Sequence, residues 1–204
     1  MAGRRERQKQ LRERRILRGA EWLFTRRGYD ATRMEEIATR AELSVGAIYN
    51  YFPSKADVLL AILRKDTGEA LTAGEAIVER PPKDPADAVA ALLEVYLTFL
   101  AAHDRRLWRE MLAAALASPA EFTAAAFEAD LLLIAQLRML LDGFQSRDLI
   151  SAEIDPARGA TTLYAVYLSW FLAFVALDAI DLSTLKAQLR AGIDTVMNGL
   201  RRKG

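Results

Sequence analysis

Alanine and leucine together account for 66 of the 204 residues, whereas the β-branched residues valine and isoleucine account for only 18. Alanine and leucine are strong helix formers, and β-branched residues favour strands. We find no run of alternating apolar and polar residues between hairpin turns. We therefore expect an all-α protein of about nine helices. Their predicted ranges are 8–27, 32–40, 44–50, 54–79, 85–102, 104–117, 119–145, 155–179 and 183–202.

Polar residues at several of these helix starts support the division. Thr32 with Glu35, and Ser118 with Glu121, have the spacing of a capping box, in which each side chain satisfies a backbone N–H near the other. Ser44 is placed to cap the third helix in the same way. These residues therefore predict where the second, third and seventh helices begin.

The net charge of +1 hides an uneven distribution along the chain. Residues 1–18 hold eight basic and two acidic side chains, and residues 19–55 balance at five of each sign. The remaining residues, 56–204, carry a net charge of −5. A basic head on an acidic body indicates that the head alone meets a polyanion.

The counts of cysteine and histidine exclude several classes of site. The chain has no cysteine and one histidine, His103. Disulfides, a cysteine nucleophile and metal sites with thiolate or multiple histidine ligands are thereby excluded. We can assemble no Ser-His-Asp arrangement and no glycine-rich phosphate loop, and Asp104 after His103 is better explained as a helix cap. We expect no enzyme, no metal site and no cofactor.

Residues 28–55 contain the most informative pattern. A short helix over residues 32–40 is followed by a connection of three residues, 41–43, and by a second short helix capped by Ser44. Two short helices joined by such a tight turn are typical of a helix-turn-helix, whose second helix fits the major groove of double-stranded DNA. Small residues at the start of this second helix permit close approach to base edges.

This run closely resembles the DNA-binding domain of TetR-type (tetracycline-repressor-like) transcriptional regulators. The resemblance extends from Ile16 to Leu60, and beyond it the chain is similar only in helical architecture. Glu42 departs from the family, which usually has glycine there, and Arg33 stands where a small hydroxyl residue is common. We expect Glu42 to be tolerated if its backbone stays right-handed. The matching positions are Gly28, Tyr29, Thr32, Ile37, Ala38, Ala41, Ser44, Gly46, Ile48, Tyr49, Tyr51, Phe52 and Lys55.

The resemblance implies specific contacts with DNA. Thr32 and Lys55, near helix N-termini, would bind phosphates, and the hydroxyls of Tyr49 and Tyr51 would donate to the DNA backbone. The other implied contacts lie at the second helix or just before the first, at Arg33, Ser44, Val45, Gly46, Ala47 and Asn50. The alternative is that the tyrosines only pack the domain and Lys55 is a solvated charge. The basic arm, residues 4–18, either follows the minor groove or remains a solvated tail.

Apolar stripes fill the rest of the chain and are interpreted first as core. The family resemblance implies in addition a cavity for a small effector. Few charged residues are candidates for its lining, which favours an apolar effector. The candidate lining residues are Trp108, Met111, Leu112, Phe127, Leu131, Leu168 and Phe171.

The last two predicted helices indicate a dimer. Residues 159–177 run without a charge, close to the length that spans a bilayer, but the run contains polar residues and is closely flanked by charges. We expect a helix buried among protein helices, because a two-fold four-helix interface covers surplus apolar surface. The candidate interface residues are Leu163, Tyr167, Trp170, Phe174, Leu177, Leu185, Leu189, Ile193 and Val196.

These patterns predict a helix-turn-helix DNA-binding domain at residues 1–53 and an effector-binding and dimerisation domain at 54–204, connected by the helix 54–79. We expect a cytoplasmic homodimer that binds a palindromic operator in double-stranded DNA, a repressor released by a small apolar ligand, without a membrane partner. One alternative is an apolar-ligand carrier or interaction module whose helix-turn-helix is only structural. Another is a membrane-anchored protein.

Overall fold

The computed structural model describes residues 2–117 and 120–200, except for the side chains of residues 2, 5, 63, 66, 67, 100, 114–127 and 129. In this part of the chain there are nine helices and no strand, which confirms the all-α prediction. The helices are α1 (Ala2–Arg27), α2 (Met34–Arg40), α3 (Val45–Tyr49), α4 (Lys55–Glu79), α5 (Pro85–Ala101), α6 (Arg105–Ala117), α7 (Ala120–Gln145), α8 (Pro156–Ala176) and α9 (Leu182–Leu200).

Most helix ends lie within a few residues of the prediction, and α1 is the main exception. It begins at Ala2 rather than at residue 8, because arginine, glutamate and glutamine sustain a helix without an apolar face. The start of α9 is capped by Asp181, whose carboxylate accepts hydrogen bonds from the Thr184 N–H at 2.7 Å and the Ser183 hydroxyl at 2.8 Å. These bonds lower the pKa of Asp181 to about 2. The capping box predicted at Ser118 and Glu121 lies outside the described residues and side chains.

The chain forms two compact units. The first unit comprises residues 1–66 and 103–126, and the second comprises residues 67–102 and 127–204. The first unit therefore contains the start of α4 and all of α6, in addition to the predicted DNA-binding segment 1–53. The functional division at residue 53 stays a prediction.

The first unit is built on a core of apolar side chains from α1, α2, α3, α4 and α6. Helix α1 packs against α2 and α6, and α2 packs against α3. The only histidine of the chain joins this unit, since His103 Nδ1 lies 3.0 Å from the Glu21 carboxylate. Asp104 caps α6 by accepting from the Arg106 N–H at 2.7 Å, as expected from the sequence. The largest fully buried side chains here include Phe24, Ile16, Ile37, Ile48, Leu59 and Leu107.

The second unit is organised around α9, which packs against both α5 and α8. Gly192 allows α8 to approach closely, because a Cβ at that position would lie 2.6 Å from Val166 Cγ1. Arg190 of α9 bonds Asp87 of α5 at 2.8 Å and Asp194 at 3.0 Å. These contacts fix α9 between its two neighbours. Helix α8, which carries no charge over residues 159–176, is long and apolar enough to cross a bilayer. This is weak evidence for a membrane span, because core helices of soluble proteins share these properties.

Candidate nucleic-acid interface

Helix α3 exposes most of its surface to solvent. Ser44 caps it as predicted, since the Ser44 hydroxyl accepts from the Ala47 N–H at 3.2 Å. Ile48 points into the core and is fully buried, whereas Val45, Gly46 and Tyr49 are exposed. The helix is therefore held by one apolar side chain and presents its N-terminal turn outwards.

Gly46 has no steric reason within the chain to be glycine. A Cβ built at this position would meet no atom within 4 Å. Glycine in a helix costs roughly 0.5–1 kcal/mol relative to alanine. The open space beside Gly46 is therefore available to a molecule that approaches the backbone of α3 closely.

The start of α2 corrects two predictions about Thr32. The helix begins at Met34, with Arg33 as the exposed N-cap residue and its N–H donating to Glu36 Oε2 at 3.0 Å. The predicted capping box of Thr32 with Glu35 is therefore wrong. Thr32 is only 1% exposed, and its hydroxyl donates to the Gly28 carbonyl at 2.8 Å. The hydroxyl is thus occupied inside the unit and does not face solvent, so the phosphate contact assigned to it is not supported by this geometry.

The Gly28 carbonyl is placed for this bond by the way α1 ends. Gly28 has a φ of +89°, and its N–H donates to the Phe24 carbonyl at 2.9 Å. A glycine at this position closes the helix at little steric cost. The positive φ explains why the turn to α2 brings Thr32 under the end of α1 rather than to the surface.

The turn between α2 and α3 is a Schellman motif with glutamate in the position usually held by glycine. The Leu43 N–H donates to the Ala38 carbonyl at 2.9 Å, and the Glu42 N–H donates to the Thr39 carbonyl at 3.1 Å. Glu42 has a φ of +55°, so the condition of a right-handed backbone is not met. The two hydrogen bonds impose the left-handed conformation, and the Glu42 carboxylate pairs with Arg15.

Lys55 lies in a half-buried site at the start of α4. Its Nζ donates to the Tyr29 carbonyl at 2.5 Å and to the Asp30 carbonyl at 3.3 Å, and lies 4.1 Å from the centroid of the Tyr29 ring. Burial raises the pKa of Tyr29, and the carboxylates of Asp30, Asp57 and Glu110 raise it further. Lys55 therefore ties α4 to the turn after α1, and one of its three donors stays available to a phosphate.

The remaining sequence-predicted contacts divide by exposure. Ser44, Asn50 and Arg33 are exposed, Ala47 is partly covered, and Tyr51 is half-buried against the core. Tyr51 therefore fits the packing alternative better than the phosphate contact. The first unit brings the other residues of this set together around α3.

The effector-lining residues predicted from the sequence do not lie in one unit. Trp108, Met111 and Leu112 belong to α6 in the first unit, where Met111 is buried in the core. Leu168 and Phe171 are half-buried on α8 in the second unit, whereas Leu131 is 65% exposed. The side chain of Phe127 lies outside the described part. The six residues whose side chains are described thus divide between the two units.

A buried polar network in the second unit was missed by sequence reasoning. Gln136 is only 3% exposed, accepts from the Tyr96 hydroxyl at 2.9 Å and donates to the Leu71 carbonyl at 2.8 Å. Gly74 makes room for it, since a Cβ there would lie 2.3 Å from Gln136 Oε1. Burial, together with the charge of Glu75, raises the pKa of Tyr96 to about 12. The signal was weak because the partners are 40 and 65 positions apart.

A second polar group of the same unit surrounds Asp130. Burial raises the pKa of Asp130, and a hydrogen bond from the Tyr164 hydroxyl opposes this shift. On α8, Tyr164 is followed by Tyr167 and Phe171, with ring centroids 6.4 and 6.3 Å apart along the series. The Asp130 carboxylate therefore lies beside a cluster of three aromatic rings, of which Tyr167 and Phe171 are stacked and two carry hydroxyls. This arrangement can hold both polar and apolar groups of a ligand.

The dimer candidates need correction. Leu163, Phe174, Leu185, Leu189 and Ile193 are buried inside the second unit and cannot meet a second copy in this conformation. They cover the surfaces where α9 packs against α5 and α8. Tyr167, Trp170 and Val196 are half-buried, and Leu177 is exposed. Uncharged residues exposed on the two helices include Ala165, Ser169, Leu172, Ala191 and Thr195, and the charged residues Arg158, Lys186 and Arg190 are exposed as well.

Comparison with known proteins gives two kinds of match. Residues 16–62 match the family described as "Bacterial regulatory proteins, tetR family". A stretch of 55 residues is 40% identical to the HTH-type transcriptional repressor KstR of Rhodococcus jostii, over 27% of this chain and 26% of that protein. A stretch of 94 residues is 33% identical to the HTH-type transcriptional activator FasR of Mycolicibacterium smegmatis, over 46% of this chain and 42% of that protein. These matches thus span less than half the length of either relative.

Solved structures match nearly the whole chain. FadR of Thermus thermophilus, a TetR-family transcriptional repressor in complex with lauroyl-CoA, is 25% identical with a TM-score of 0.72, over 94% of this chain and 97% of that one. SmeT, the repressor of the Stenotrophomonas maltophilia multidrug efflux pump SmeDEF, in complex with triclosan is 24% identical with a TM-score of 0.72, over 95% and 93%. The two units together therefore have the fold of these regulators.

Proposed function

We infer that this chain, whose residues 16–62 belong to the TetR family of bacterial regulatory proteins, is a transcriptional regulator that binds double-stranded DNA. The observation that carries the proposal is the outward N-terminal turn of α3. Its cap, Ser44, and the exposed residues Val45 and Gly46 leave the backbone open to a groove. A recognition helix needs this combination, because its first turn must approach base edges.

The residues around this turn have complementary roles in the proposed complex. Val45, Gly46 and Ala47 lie against base edges, where the apolar side chains contact thymine methyl groups. Tyr49 and Arg33 donate to phosphates, and Asn50 pairs with an adenine or a phosphate. Base contacts thus come from α3, and phosphate contacts fix its orientation.

We propose that the protein acts as a homodimer on a palindromic operator. A two-fold axis places two copies of α3 in major grooves one helical turn apart, or a multiple of it. The proposed interface is the outward face of α8 and α9, where Ala165, Leu172 and Ala191 are exposed and uncharged. Small residues on this face allow the helices of two copies to approach closely.

We propose that the effector is an apolar small molecule and that its binding releases the protein from DNA. The protein is then a repressor that acts in the cytoplasm. Lauroyl-CoA in the complex of FadR and triclosan in that of SmeT both have large apolar parts. In this chain the aromatic rings of Tyr164, Tyr167 and Phe171 offer an apolar surface for such a molecule. These observations support a hydrophobic effector that binds beside these three aromatic side chains.

Helix α4 is the proposed route between effector and DNA. It runs through both units, with residues 55–66 in the first and 67–79 in the second. An effector that shifts α4 changes the separation of the two copies of α3 and so lowers operator affinity. The change requires that the effector bind the two states with different affinity.

The experiment is a fluorescence-anisotropy titration of the purified protein with duplexes from the DNA flanking its own gene. Wild type is expected to bind one inverted repeat selectively and with strong salt dependence. Asn50→Ala and Tyr49→Phe are expected to weaken binding roughly 3- to 10-fold, the effect of one lost hydrogen bond of about 0.7–1.4 kcal/mol.

Thr98→Ala is the control, because Thr98 is an exposed polar residue on α5 in the second unit, outside the proposed DNA and dimer surfaces. It is expected to bind like wild type. If wild type forms no selective, salt-sensitive complex with DNA, the helix-turn-helix is only a structural element of a ligand carrier. Variants that all bind normally would reject the residue assignment.

A further inference from the structure

A basic cleft opens in the first unit between α1 and the end of α2. It has a volume of about 350 Å³ and is lined by Arg15, Arg18, Gly19 and Arg40. A Cβ at Gly19 would lie 3.5 Å from Arg40 Cγ and 3.8 Å from the Ala41 backbone nitrogen. The backbone of α1 therefore passes directly beside the last turn of α2, and three arginines meet there.

Among the residues that the structure describes, only one of these three guanidinium groups has a carboxylate partner. Arg15 pairs with Glu42. The guanidinium of Arg40 lies 3.5 Å from the centroid of the Trp22 ring, which holds it in place without removing its charge. Among the described residues neither Arg18 nor Arg40 has a carboxylate partner.

The nearby carboxylates are engaged elsewhere. Glu21, one turn after Arg18 on α1, lies 3.0 Å from His103 Nδ1. Glu36, one turn before Arg40 on α2, pairs with Arg27 and accepts from the Arg33 N–H at 3.0 Å. The cleft therefore keeps an excess of two positive charges.

The chemistry of the cleft favours a phosphate group. The planar guanidinium presents parallel N–H donors that match two oxygens of a phosphate, and stacking on an aromatic ring leaves these edges free. Ammonium groups, which bind phosphate as point charges, are absent from the lining. Two arginines that converge on one space can thus hold a single phosphodiester.

The position of the cleft favours DNA as the source of that phosphate. Ala41 and Glu42, at its border, form the turn that leads to Ser44 and α3. In helix-turn-helix complexes the helix before the recognition helix crosses the sugar-phosphate backbone. When α3 occupies a major groove, the anion closest to this turn is the backbone that borders the groove.

We propose that Arg18 and Arg40 form a second DNA contact, which binds a backbone phosphate beside the groove occupied by α3. This inference rests on the proposed function, since it requires α3 to lie in the groove. The contact adds affinity without reading sequence, because every nucleotide presents the same phosphate. It also assigns a role to Trp22, whose ring contacts the guanidinium of Arg40 at 3.5 Å and that of Arg26 at 5.0 Å.

The test is the salt dependence of operator binding for Arg18→Gln, Arg40→Gln and the double variant. Neutralising one phosphate contributes about 0.9 to the slope of log K against log salt concentration. The double variant is therefore expected to lower the slope by about 1 for each bound copy of the first unit. Affinity should fall by the same factor on the operator and on a scrambled duplex.

Arg64→Gln is the control, because Arg64 is an exposed arginine of the first unit that does not line the cleft. It removes the same charge and is expected to keep the wild-type slope. An unchanged slope in the double variant, or a loss confined to the operator, would overturn the proposal while leaving the regulator function intact. Wild type that forms no selective complex would overturn both, and thermal unfolding of each variant identifies any that fails to fold.

Discussion

At the scale of single residues, Gly46 is the position where stability and DNA binding are expected to oppose each other. Its Cβ position is open, so Gly46→Ala should raise the free energy of unfolding by about 0.5 kcal/mol through the lower flexibility of the unfolded chain. The added methyl group enters the space that the groove needs, so operator affinity should fall at least 10-fold, about 1.4 kcal/mol. Urea unfolding and anisotropy titrations measure the two effects.

Gly68→Ala provides the comparison for this pair of measurements. Gly68 lies in α4, and its Cβ position is equally open. The variant should gain similar stability and retain operator affinity. If Gly46→Ala binds the operator as well as Gly68→Ala does, Gly46 does not face the groove.

Glu42 is the other residue whose effect follows from its backbone. A left-handed conformation costs a non-glycine residue roughly 1–2 kcal/mol, and glycine avoids this cost. Glycine also loses more conformational entropy on folding, which offsets part of the gain. The exposed pair with Arg15 contributes little to stability. Glu42→Gly should therefore stabilise the protein by about 0.5–1 kcal/mol in urea unfolding.

Asp148 gives a control for that measurement, since it has a φ of +58° in an equivalent turn after α7. Aspartate tolerates this conformation better than glutamate, so Asp148→Gly should gain less. A loss of stability in Glu42→Gly would show that the Arg15 pair outweighs the backbone strain.

Ser44, Thr32 and Glu42 show which details of the helix-turn-helix the sequence can and cannot predict. Ser44 was predicted correctly as a cap because its hydrogen bond depends only on the next three residues. Thr32 was assigned wrongly because its hydroxyl can either accept from a backbone N–H later in the chain or donate to the Gly28 carbonyl. The geometry of the turn after α1 selects the second bond. The conformation of Glu42 is set by two backbone hydrogen bonds against the preference of its side chain.

At the scale of helices, periodicity located the apolar faces of α8 and α9 but not the elements that cover them. Leu163 and Leu189 were assigned to a dimer, yet they pack inside the second unit. A stripe of leucines has the same appearance whether it meets a helix of the same chain or of another copy. Gln136 and Tyr96 were missed for a related reason, since contacts across 40 positions leave no local pattern.

The outward face of α8 leads to a prediction about assembly. Leu172 is 42% exposed on this face, and Leu172→Glu is expected to place a charge in the proposed interface. Burial of an unpaired charge costs several kcal/mol, enough to raise a dimer dissociation constant by about 100-fold or more. Sedimentation velocity should then show monomer at micromolar concentration.

Leu149→Glu is the matched control, because Leu149 is also 42% exposed but lies after the end of α7. It should sediment like wild type. A Leu172→Glu protein that remains dimeric would reject α8 as the interface, and circular dichroism verifies that both variants keep their helices.

At the scale of the whole molecule, the pH dependence of stability should reflect Asp130. Its pKa is raised in the folded state by burial, so the folded chain holds this proton more tightly than the unfolded chain, whose value is near 3.8. The contribution of Asp130 to stability is therefore fully present below that value and is lost as pH rises through the folded pKa. Asp130→Asn, which still accepts from Tyr164, should be more stable than wild type at neutral pH.

The difference between Asp130→Asn and wild type should shrink as pH falls towards 3.8, in urea unfolding at a series of pH values. Glu128→Gln, an exposed carboxylate change on the same helix, should follow wild type throughout. A stability difference that is constant with pH would indicate a packing effect at Asp130 rather than a titration.

The stacking of Arg40 on Trp22 also makes the intrinsic fluorescence of Trp22 a probe of this contact. Indole fluorescence responds to a cation on the face of the ring and to solvent at its edge, and Trp22 has both. The other two tryptophans, Trp108 and Trp170, can be changed to phenylalanine to leave a single emitter. The emission maximum and lifetime of Trp22 then report on the guanidinium groups of Arg40 and Arg26, which lie 3.5 and 5.0 Å from the centroid of its ring, without any label on the protein or the nucleic acid.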